Sequence, residues 1–399
     1  MKLNKSLLFL ISLLTLSSCG GGEPFKYHGY NCVFLNDPDI GFFAPFNSYV
    51  AIDTYSDKQF EFVKENAQER ILYAHKITDR YHDFTNFSNL KTINDSYGTG
   101  KAIKVNEELF SLVKFAKEFT ILSQGKFHLA LGSVIDVWKD KFDYPGTFEK
   151  DVTDEFITKA LTAVPSLEEL DQVIVLDEQN KTIQLNGLEG ALEPVKISLG
   201  GIAKGFGLDY ISKMYQGTKF KDSKLDAGSS SIMTMGDYPG VASDTWSIKY
   251  RNPSFKQDKD EFLLRIKFNG SKSLSTSGDS EQNYLIKDNA GNIIIRHHIL
   301  DSETGYSNNY HRFVGLISEG TSGMLLDALS TAIFNIQKTE DIQKFVSLVN
   351  ETYHVDINYF VTNPYQGDLD KFELILNSGM NSYLDRNSLA KEIVKTTII

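Results

Sequence analysis

Residues 198–205 read Ser-Leu-Gly-Gly-Ile-Ala-Lys-Gly, and the prediction of the fold starts from this stretch. Apolar residues at 195–199 predict a short strand that ends at the two glycines, and 202–214 has the apolar spacing of a helix. Glycines let a backbone approach a ligand closely. The free N–H groups of a helix N-terminus favour a phosphate or diphosphate, as does Lys204. A plain strand–turn–helix connection explains the same residues, and the pattern matches neither common phosphate-loop motif.

Outward from this connection, helical and extended patterns follow each other irregularly. Apolar spacing predicts helices at 59–81, 106–123, 324–336 and 339–349. Alternating or apolar runs predict strands at 48–54, 173–176, 182–185, 229–235, 246–250, 262–268 and 293–299. Residues 84–100, rich in Asn, Ser, Thr and Gly, are predicted to be a loop. Because no regular βαβ repeat is present, the predicted fold class is α+β, with mixed or antiparallel sheets and packed helices.

The composition places the chain among globular proteins and excludes several functions. Of its 399 residues, 41% are hydrophobic and 23% are charged, which excludes wholesale disorder. Asp and Glu number 52 against 41 Lys and Arg, giving a formal net charge of −11, so we expect no nucleic-acid partner. Two cysteines cannot form a disulfide framework or a cysteine-based zinc site.

The N-terminus has the features of an export signal. Lys2 and Lys5 precede an apolar run at 7–16, and the following Ser-Ser-Cys19 resembles the bacterial lipobox, in which the cysteine is lipidated. An ordinary signal peptide with an incidental cysteine is the alternative. We expect an exported lipoprotein, anchored to the membrane through Cys19 and located on the periplasmic or extracytoplasmic face. The predicted organisation is a signal peptide at 1–18, a tether or linker at 19–41 and one domain at 42–399.

Two short motifs carry groups that could bind or react. Residues 275–279 read Ser-Thr-Ser-Gly-Asp, and small hydroxyls around a glycine suit an oxygen-rich ligand, although Ser-Gly-Asp is also common in turns. His298 at a predicted strand end, with Asp301 shortly after it, could be a base and the group that orients it. His297 next to it leaves the assignment between the two histidines open.

A third motif lies inside the apolar helix predicted at 324–336. Asp327 and Thr331 are four residues apart and therefore share one helix face. A carboxylate among leucines needs a partner or a metal ion, and a carboxylate with a hydroxyl suits Mg²⁺ better than zinc. An Asp paired with a nearby arginine or with backbone groups is the alternative.

The order and spacing of the motifs are more informative than any one of them. In sequence they are Ser-Leu-Gly-Gly-Ile-Ala-Lys-Gly (198–205), Asp-Ala-Gly (226–228), Ser-Thr-Ser-Gly-Asp (275–279), His-Ile-Leu-Asp (298–301) with Thr-Gly (304–305), and Leu-Asp-Ala-Leu-Ser-Thr-Ala (326–332). This series resembles the ApbE family of FAD:protein FMN transferases, many of which are bacterial lipoproteins. Upstream, 84–94 and Gly-Lys-Phe-His-Leu-Ala-Leu-Gly at 125–132 with Trp138 are also similar, so that the resemblance covers about 42–350.

The resemblance implies a fold and an activity. The fold is a single catalytic domain of the T-fold type. Members bind FAD and Mg²⁺ and transfer FMN to a Thr hydroxyl of an acceptor protein, with release of AMP. The acceptors are flavin-carrying subunits of membrane redox pumps of the Na⁺-translocating NADH:quinone reductase (Na⁺-NQR) and RNF kinds. Some members instead hydrolyse FAD to FMN and AMP.

The resemblance also implies roles for particular residues. The metal would be held by the Gly201 carbonyl and by the side chains of Asp327 and Thr331. His298 would be the base or charge stabiliser, with Asp301 as its catalytic partner. The flavin nucleotide would contact Ala130, Leu131, Gly132, Ser198, Lys204, Ser277, Gly278, Asp279 and the backbone of Leu300.

Several positions depart from the family pattern. Ser198 stands where an aspartate is usual, His128 where Phe-Asp is usual, Ser229-Ser230 where Gly-Asp or Gly-Asn is usual, and Ser302-Glu303 where Pro-Arg is usual. We therefore expect flavin and metal binding to be kept, with transfer efficiency in question. Three hypotheses follow: an Mg²⁺-dependent FMN transferase, an Mg²⁺-dependent FAD pyrophosphatase, and a catalytically weakened flavin-binding lipoprotein.

Overall fold

The computed structural model describes residues 26–142, 145–240 and 244–399. The predicted signal peptide and Cys19 lie outside these residues. The described strands are β1 (His28–Cys32), β2 (Leu35–Asp37), β3 (Gly41–Phe43), β4 (Val50–Thr54), β5 (Ala102–Lys104), β6 (Ile174–Asp177), β7 (Thr182–Leu185), β8 (Ser223–Ala227), β9 (Ser231–Met235), β10 (Trp246–Arg251), β11 (Phe262–Phe268), β12 (Lys272–Gly278), β13 (Asn283–Lys287), β14 (Ile293–His297), β15 (Phe313–Glu319), β16 (Ile357–Tyr365), β17 (Asp368–Leu376) and β18 (Ile393–Ile398).

The described helices are mostly short and amphipathic. They are α1 (Asp57–Thr78), α2 (Leu90–Asp95), α3 (Glu107–Leu122), α4 (Gly132–Trp138), α5 (Asp154–Leu161), α6 (Leu170–Val173), α7 (Ala203–Ser212), α8 (Gly323–Phe334), α9 (Thr339–Tyr353) and α10 (Ser378–Tyr383), with short 3₁₀ turns at Pro45–Asn47, Lys213–Tyr215 and Arg386–Ser388. In the described part of the chain, no helix combines the length and apolarity that a membrane crossing requires.

Nine strands form one central sheet in the order β1-β4-β8-β9-β12-β15-β16-β17-β18. All neighbours in it are antiparallel except β17 and β18. Alternation along β15 separates two cores: Val314 and Leu316 face one, while Phe313 and Ile317 face the other. Helices α1, α7, α8 and α9 cover the first face, and the β10–β11 hairpin with α10 covers the second.

Three sequence predictions need correction. Part of the predicted tether, His28–Cys32, is strand β1 at the edge of the central sheet, because it pairs with β4. The predicted loop at 84–100 contains α2, which begins at a capping box made by Asn89 and Thr92. The predicted strand at 195–199 is extended but joins no sheet, since the Asn94 side chain bonds both backbone groups of Ile197.

Helices α7 and α8 approach each other closely through two glycines. A Cβ on Gly205 would overlap the carbonyl group of Gly323 in the first turn of α8. The Asp209 carboxylate then accepts from the Gly323 and Met324 amides at 2.8 and 3.0 Å, which caps α8. The close approach brings the start of α7, and with it Lys204, to the start of α8.

Gly205→Ala should therefore destabilise the protein through overpacking. We expect the free energy of unfolding to fall by about 3 kcal/mol, because backbone atoms rather than a flexible side chain must move. Denaturant unfolding measures the change, with Gly187→Ala as the control, since Gly187 has open space around it. Equal stability of the two variants would show that α7 and α8 are not packed this closely.

Candidate active site

The candidate site lies where β9 and β12 face α8. Because strand residues alternate between faces, Ser231 on β9 and Ser275 and Ser277 on β12 all face the helix side of the sheet. On α8, Asp327 and Ser330 face these strands, since they are three residues apart. The result is a buried set of hydroxyls around one carboxylate.

The Asp327 carboxylate is held on both oxygens. Gly205 N–H donates to Oδ2 at 2.6 Å, the Ser275 hydroxyl donates to Oδ1 at 2.6 Å, and the Ser231 hydroxyl lies 2.8 and 2.9 Å from Oδ1 and Oδ2. A carboxylate has about four lone-pair directions, so three donors leave about one unused. Burial raises the pKa of Asp327 to about 6, opposed by the hydrogen bonds from Ser275, Ser231 and Gly205 and by the charge of Lys204.

The residues around Asp327 fit a hard cation such as Mg²⁺. Thr331 shares the helix face of Asp327, and its Oγ1 lies 3.4 Å from the place a Cβ on Gly201 would take. A carboxylate with a free lone pair, a hydroxyl and a backbone carbonyl are all oxygen ligands, which Mg²⁺ prefers. Among the described residues no cluster of three His, Cys, Asp or Glu could hold a metal, so water and substrate oxygens would have to complete the shell.

Lys204 supplies the positive charge of the cleft. Its Nζ donates to the Ser230 hydroxyl at 3.1 Å, and a Cβ on Gly228 would lie 3.3 Å from the same Nζ. Gly228 (φ +63°) and Ser229 (φ 58°) both adopt left-handed backbone in the β8–β9 turn. Burial lowers the pKa of Lys204, while the carboxylates of Asp327, Asp226 and Glu281 raise it.

The structure separates the two adjacent histidines. The buried His297 has its Nε2 2.8 Å from the Asn308 carbonyl, while its Nδ1 accepts from Ile299 N–H. The His298 side chain is exposed, yet desolvation by the surrounding protein and the charge of Lys204 lower its pKa to about 4, opposed by the Gln282 carbonyl 3.4 Å from its Nδ1. His298 is therefore a neutral, exposed imidazole within reach of the Lys204 charge.

Asp301 does not orient His298. Its Oδ1 accepts from the Glu303 and Thr304 amides at 2.9 and 3.0 Å, and its Oδ2 accepts from the Asn308 amide at 3.1 Å. The carboxylate therefore caps the turn after His298, and the predicted pairing of Asp301 with His298 is wrong, whereas a catalytic role of Asp301 stays a prediction.

Comparison with known proteins decides the family. The sequence model of the ApbE family matches residues 46–355. The chain belongs to the ApbE family. An FAD:protein FMN transferase of Rhodobacter capsulatus is 25% identical over 244 residues, which are 61% of this chain and 41% of that protein. The FAD:protein FMN transferase of Klebsiella pneumoniae (strain 342) is 25% identical over 58% of this chain and 64% of that protein. The FAD:protein FMN transferase of Vibrio cholerae is 24% identical over 82% of this chain and 86% of that protein. The match thus spans less than two thirds of the Rhodobacter and Klebsiella proteins.

Solved structures of ApbE proteins share the fold. The ApbE protein of Thermotoga maritima aligns with a TM-score of 0.66 at 22% identity, over 90% of this chain and 99% of that one. The flavin transferase ApbE of Vibrio cholerae aligns with a TM-score of 0.62 at 16% identity, over 90% of this chain and 100% of that one. These alignments confirm the predicted α+β fold of the ApbE type.

Asp279 was predicted to contact flavin in the ApbE-like site, but it lies in a buried ion pair. Its Oδ2 accepts from Arg312 Nε, and both side chains are almost fully buried. Arg312 also donates to the Pro253 and Leu369 carbonyls. Through Arg312, the buried Asp279 therefore links the end of β12 to β17. Gly278 ends β12, and Phe313 packs against it.

The predicted flavin contacts at 130–132 are buried. Ala130 and Leu131 point into the hydrophobic cores, and Gly132 packs against Lys196. Their backbone instead holds the 196–198 segment, because Gly132 N–H donates to the Lys196 carbonyl and Ser198 N–H to the Leu129 carbonyl. The structure thus gives these three residues a supporting position in an ApbE fold.

Two further predicted contacts have protein partners. The partly exposed Ser198 places its hydroxyl 3.5 Å from Gly200 N, within the glycine turn that precedes α7. The buried Leu300 has a carbonyl that accepts from the Asn335 amide at 3.2 Å. Ser198 therefore stays a candidate contact of the cleft, whereas Leu300 packs with Trp138 and its neighbours in the α4–α5 core.

Sequence reasoning missed three hydroxyls of the site, of which Ser231 and Ser330 are buried. Ser230, Ser231 and Ser330 bond to Lys204, Asp327 and Ser275 respectively. Spacing could have identified Ser330, since it follows Asp327 by three residues on a helix. Nothing in the sequence pairs the β8–β9 turn with α8, because that contact depends on the strand order of the sheet.

Two buried histidines should make folding sensitive to mild acid. Burial lowers the pKa of His128 to about 4 and that of His297 to about 3, against about 6.5 in the unfolded chain. Both are then neutral when folded and protonated when unfolded, so their contribution is complete above pH 6.5 and is lost as pH falls below it. Below pH 6.5, each of these histidines lowers the free energy of unfolding by about 1.4 kcal/mol per pH unit.

Denaturant unfolding between pH 7.5 and 5.5 measures this effect. We expect the free energy of unfolding to fall by at least roughly 2 kcal/mol over the unit below pH 6.5, and His128→Gln to remove only part of that slope, because burial also lowers the pKa of His311. A stability that stays constant down to pH 5.5 would contradict the neutral, buried state of both rings.

Proposed function

We propose that this protein transfers FMN from FAD to a Thr hydroxyl of an acceptor protein, with release of AMP, and depends on Mg²⁺. The observation that carries the proposal is the arrangement around α8. Asp327 accepts three hydrogen bonds and shares its helix face with Thr331, and the charge of Lys204 lowers the pKa of both Asp327 and His298, so Asp327, Lys204 and His298 lie close together. Family membership and the names of the relatives support this activity over other phosphoryl chemistry.

The chain's own residues provide binding, orientation and a proton acceptor. Lys204 Nζ, with Ser230 behind it, binds a phosphoryl oxygen of FAD and offsets its charge. Asp327, Thr331 and the Gly201 carbonyl would hold Mg²⁺, which would neutralise charge on the diphosphate. His298 is neutral at pH 7 and can accept the proton of the attacking Thr hydroxyl. The new bond joins the Thr oxygen to the FMN phosphorus, the phosphoanhydride bond breaks, and AMP leaves.

The acceptor and the location are part of the same proposal. We expect a flavin-carrying subunit of the Na⁺-NQR or RNF kind on the extracytoplasmic side, with this protein held beside it by a lipid on Cys19. Cys19→Ser should move the protein from the membrane fraction to the soluble exported fraction. Unchanged membrane association of that variant would contradict lipid anchoring at Cys19.

The activity is tested with purified protein, FAD, Mg²⁺ and candidate acceptor subunits. We expect a fluorescent acceptor band that survives denaturing electrophoresis, and no band with EDTA or with an acceptor whose target Thr is changed to Ala. FMN and AMP formed without any acceptor would instead identify an FAD pyrophosphatase. Tight FAD binding with neither product would identify a flavin-binding protein without transferase activity.

A further inference from the structure

Three buried serines form a chain of hydrogen bonds that begins at Asp327 and ends at Ser277. The Ser275 hydroxyl lies 2.6 Å from Asp327 Oδ1 and 3.1 Å from the Ser330 hydroxyl, which in turn lies 2.9 Å from the Ser277 hydroxyl. Ser275 and Ser330 are 1% exposed and Ser277 is 8% exposed, so water does not replace these bonds. Ser330 touches neither proposed ligand, yet it connects the residue proposed for metal binding with one proposed for flavin binding.

Counting protons gives this chain a direction. Each hydroxyl has one proton, and a carboxylate only accepts. Ser275 must give its proton to Asp327, so it can only accept from Ser330. Ser330 must then accept from Ser277. Only the order Ser277 to Ser330 to Ser275 to Asp327 makes all three bonds, and it leaves Ser277 with only lone pairs for any other partner.

Ser330 can give up its hydrogen bond to Ser275. Its hydroxyl has a second acceptor, the Asp327 carbonyl, also at 3.1 Å. Once Asp327 shares its charge with a cation, it holds the Ser275 proton less strongly, and the whole chain is less strongly polarised. Ser277 is then free to turn its proton to an acceptor oxygen of a bound nucleotide.

We infer that Ser330 is a positioning residue that couples cation binding at Asp327 to FAD binding at Ser277, through the direction of the serine hydrogen bonds. The inference rests on the proposed flavin function. It predicts that loss of the Ser330 hydroxyl strengthens FAD binding when no cation is present. Without its hydroxyl, the Ser277 proton is free whether or not a cation is present.

The test is FAD affinity measured by flavin fluorescence, with EDTA and with saturating Mg²⁺, with chromatography to show that FAD stays intact. The ratio of the two dissociation constants is the coupling factor. In Ser330→Ala we expect FAD to bind more tightly in EDTA, little change in Mg²⁺, and a coupling factor about fivefold smaller than in the unmodified protein. Direct contacts between Mg²⁺ and phosphate are the same in both proteins, so the difference reports the serine chain.

Ser223→Ala is the matched control, since Ser223 is also buried and hydrogen-bonded but lies far along the sheet from Asp327. We expect its coupling factor to equal that of the unmodified protein. Ser330→Ala that weakens FAD equally with and without Mg²⁺ would overturn the inference and give Ser330 a packing role only. If Ser330→Ala does not fold, Ser330→Cys, a weaker donor of similar size, is used and should shift the ratio in the same direction. An unmodified protein that binds no FAD would refute the proposed function instead.

Discussion

Asp327→Asn should lower the rate of Mg²⁺-dependent FMN transfer by about a hundredfold or more. The carboxylate charge that would hold the cation is lost, and the several kcal/mol of charge stabilisation that a cation supplies are lost with it. The amide keeps the size of the side chain, and its oxygen can still accept from Gly205 N–H, so the fold should remain. The measurement is the initial rate of acceptor labelling as a function of Mg²⁺ concentration, with circular dichroism as a check of folding.

Asp209→Asn is the control for the loss of a buried Asp in the same helix pair. Asp209 caps α8 from outside the cleft, so this variant should lose stability but keep the Mg²⁺ dependence of the unmodified protein. An Asp327→Asn variant with a normal rate at normal Mg²⁺ would show that the metal is held elsewhere.

Arg312→Met should produce the largest loss of stability. It leaves the Asp279 carboxylate buried without its counter-ion, and removing one partner of a buried pair costs about 3–5 kcal/mol. Denaturant unfolding of the variant measures the loss. Asp279→Leu combined with Arg312→Met should recover part of it, because no unpaired charge remains.

Arg251→Met serves as the comparison, since Arg251 and Glu281 form an exposed pair. We expect that variant to stay within about 1 kcal/mol of the unmodified protein. An Arg312→Met variant with equally small loss would mean that Asp279 is not buried with Arg312, and would return Asp279 to the list of possible flavin contacts.

The sequence predicted those parts of the fold whose pattern is local. Asp327 and Thr331 lie on one helix face because their spacing requires it, and α1, α3, α7, α8 and α9 follow from apolar periodicity. The sequence predicts a tether where strand β1 lies, because a five-residue edge strand shows little periodicity until its partner β4 is known. Residues 195–199 look like a strand because they are apolar, yet their backbone bonds to the Asn94 side chain.

The site, like the fold, could be predicted only in part. The resemblance assigned Lys204, His298 and Asp327 to one site, and the structure brings the Lys204 charge close enough to lower the pKa of both His298 and Asp327. It also predicted Asp279 and Asp301 as site residues, but which way a carboxylate points depends on distant partners, here Arg312 and Asn308. The serine chain could not be predicted, because it needs the register of β12 against α8.

The most direct test of the central claim is mass spectrometry of the nucleotides and the acceptor after incubation with FAD and Mg²⁺, with and without the acceptor. We predict one AMP released for each FMN esterified to an acceptor Thr, and intact FAD when no acceptor is present. Release of AMP and free FMN without the acceptor, or no AMP under either condition, would contradict an FMN transferase.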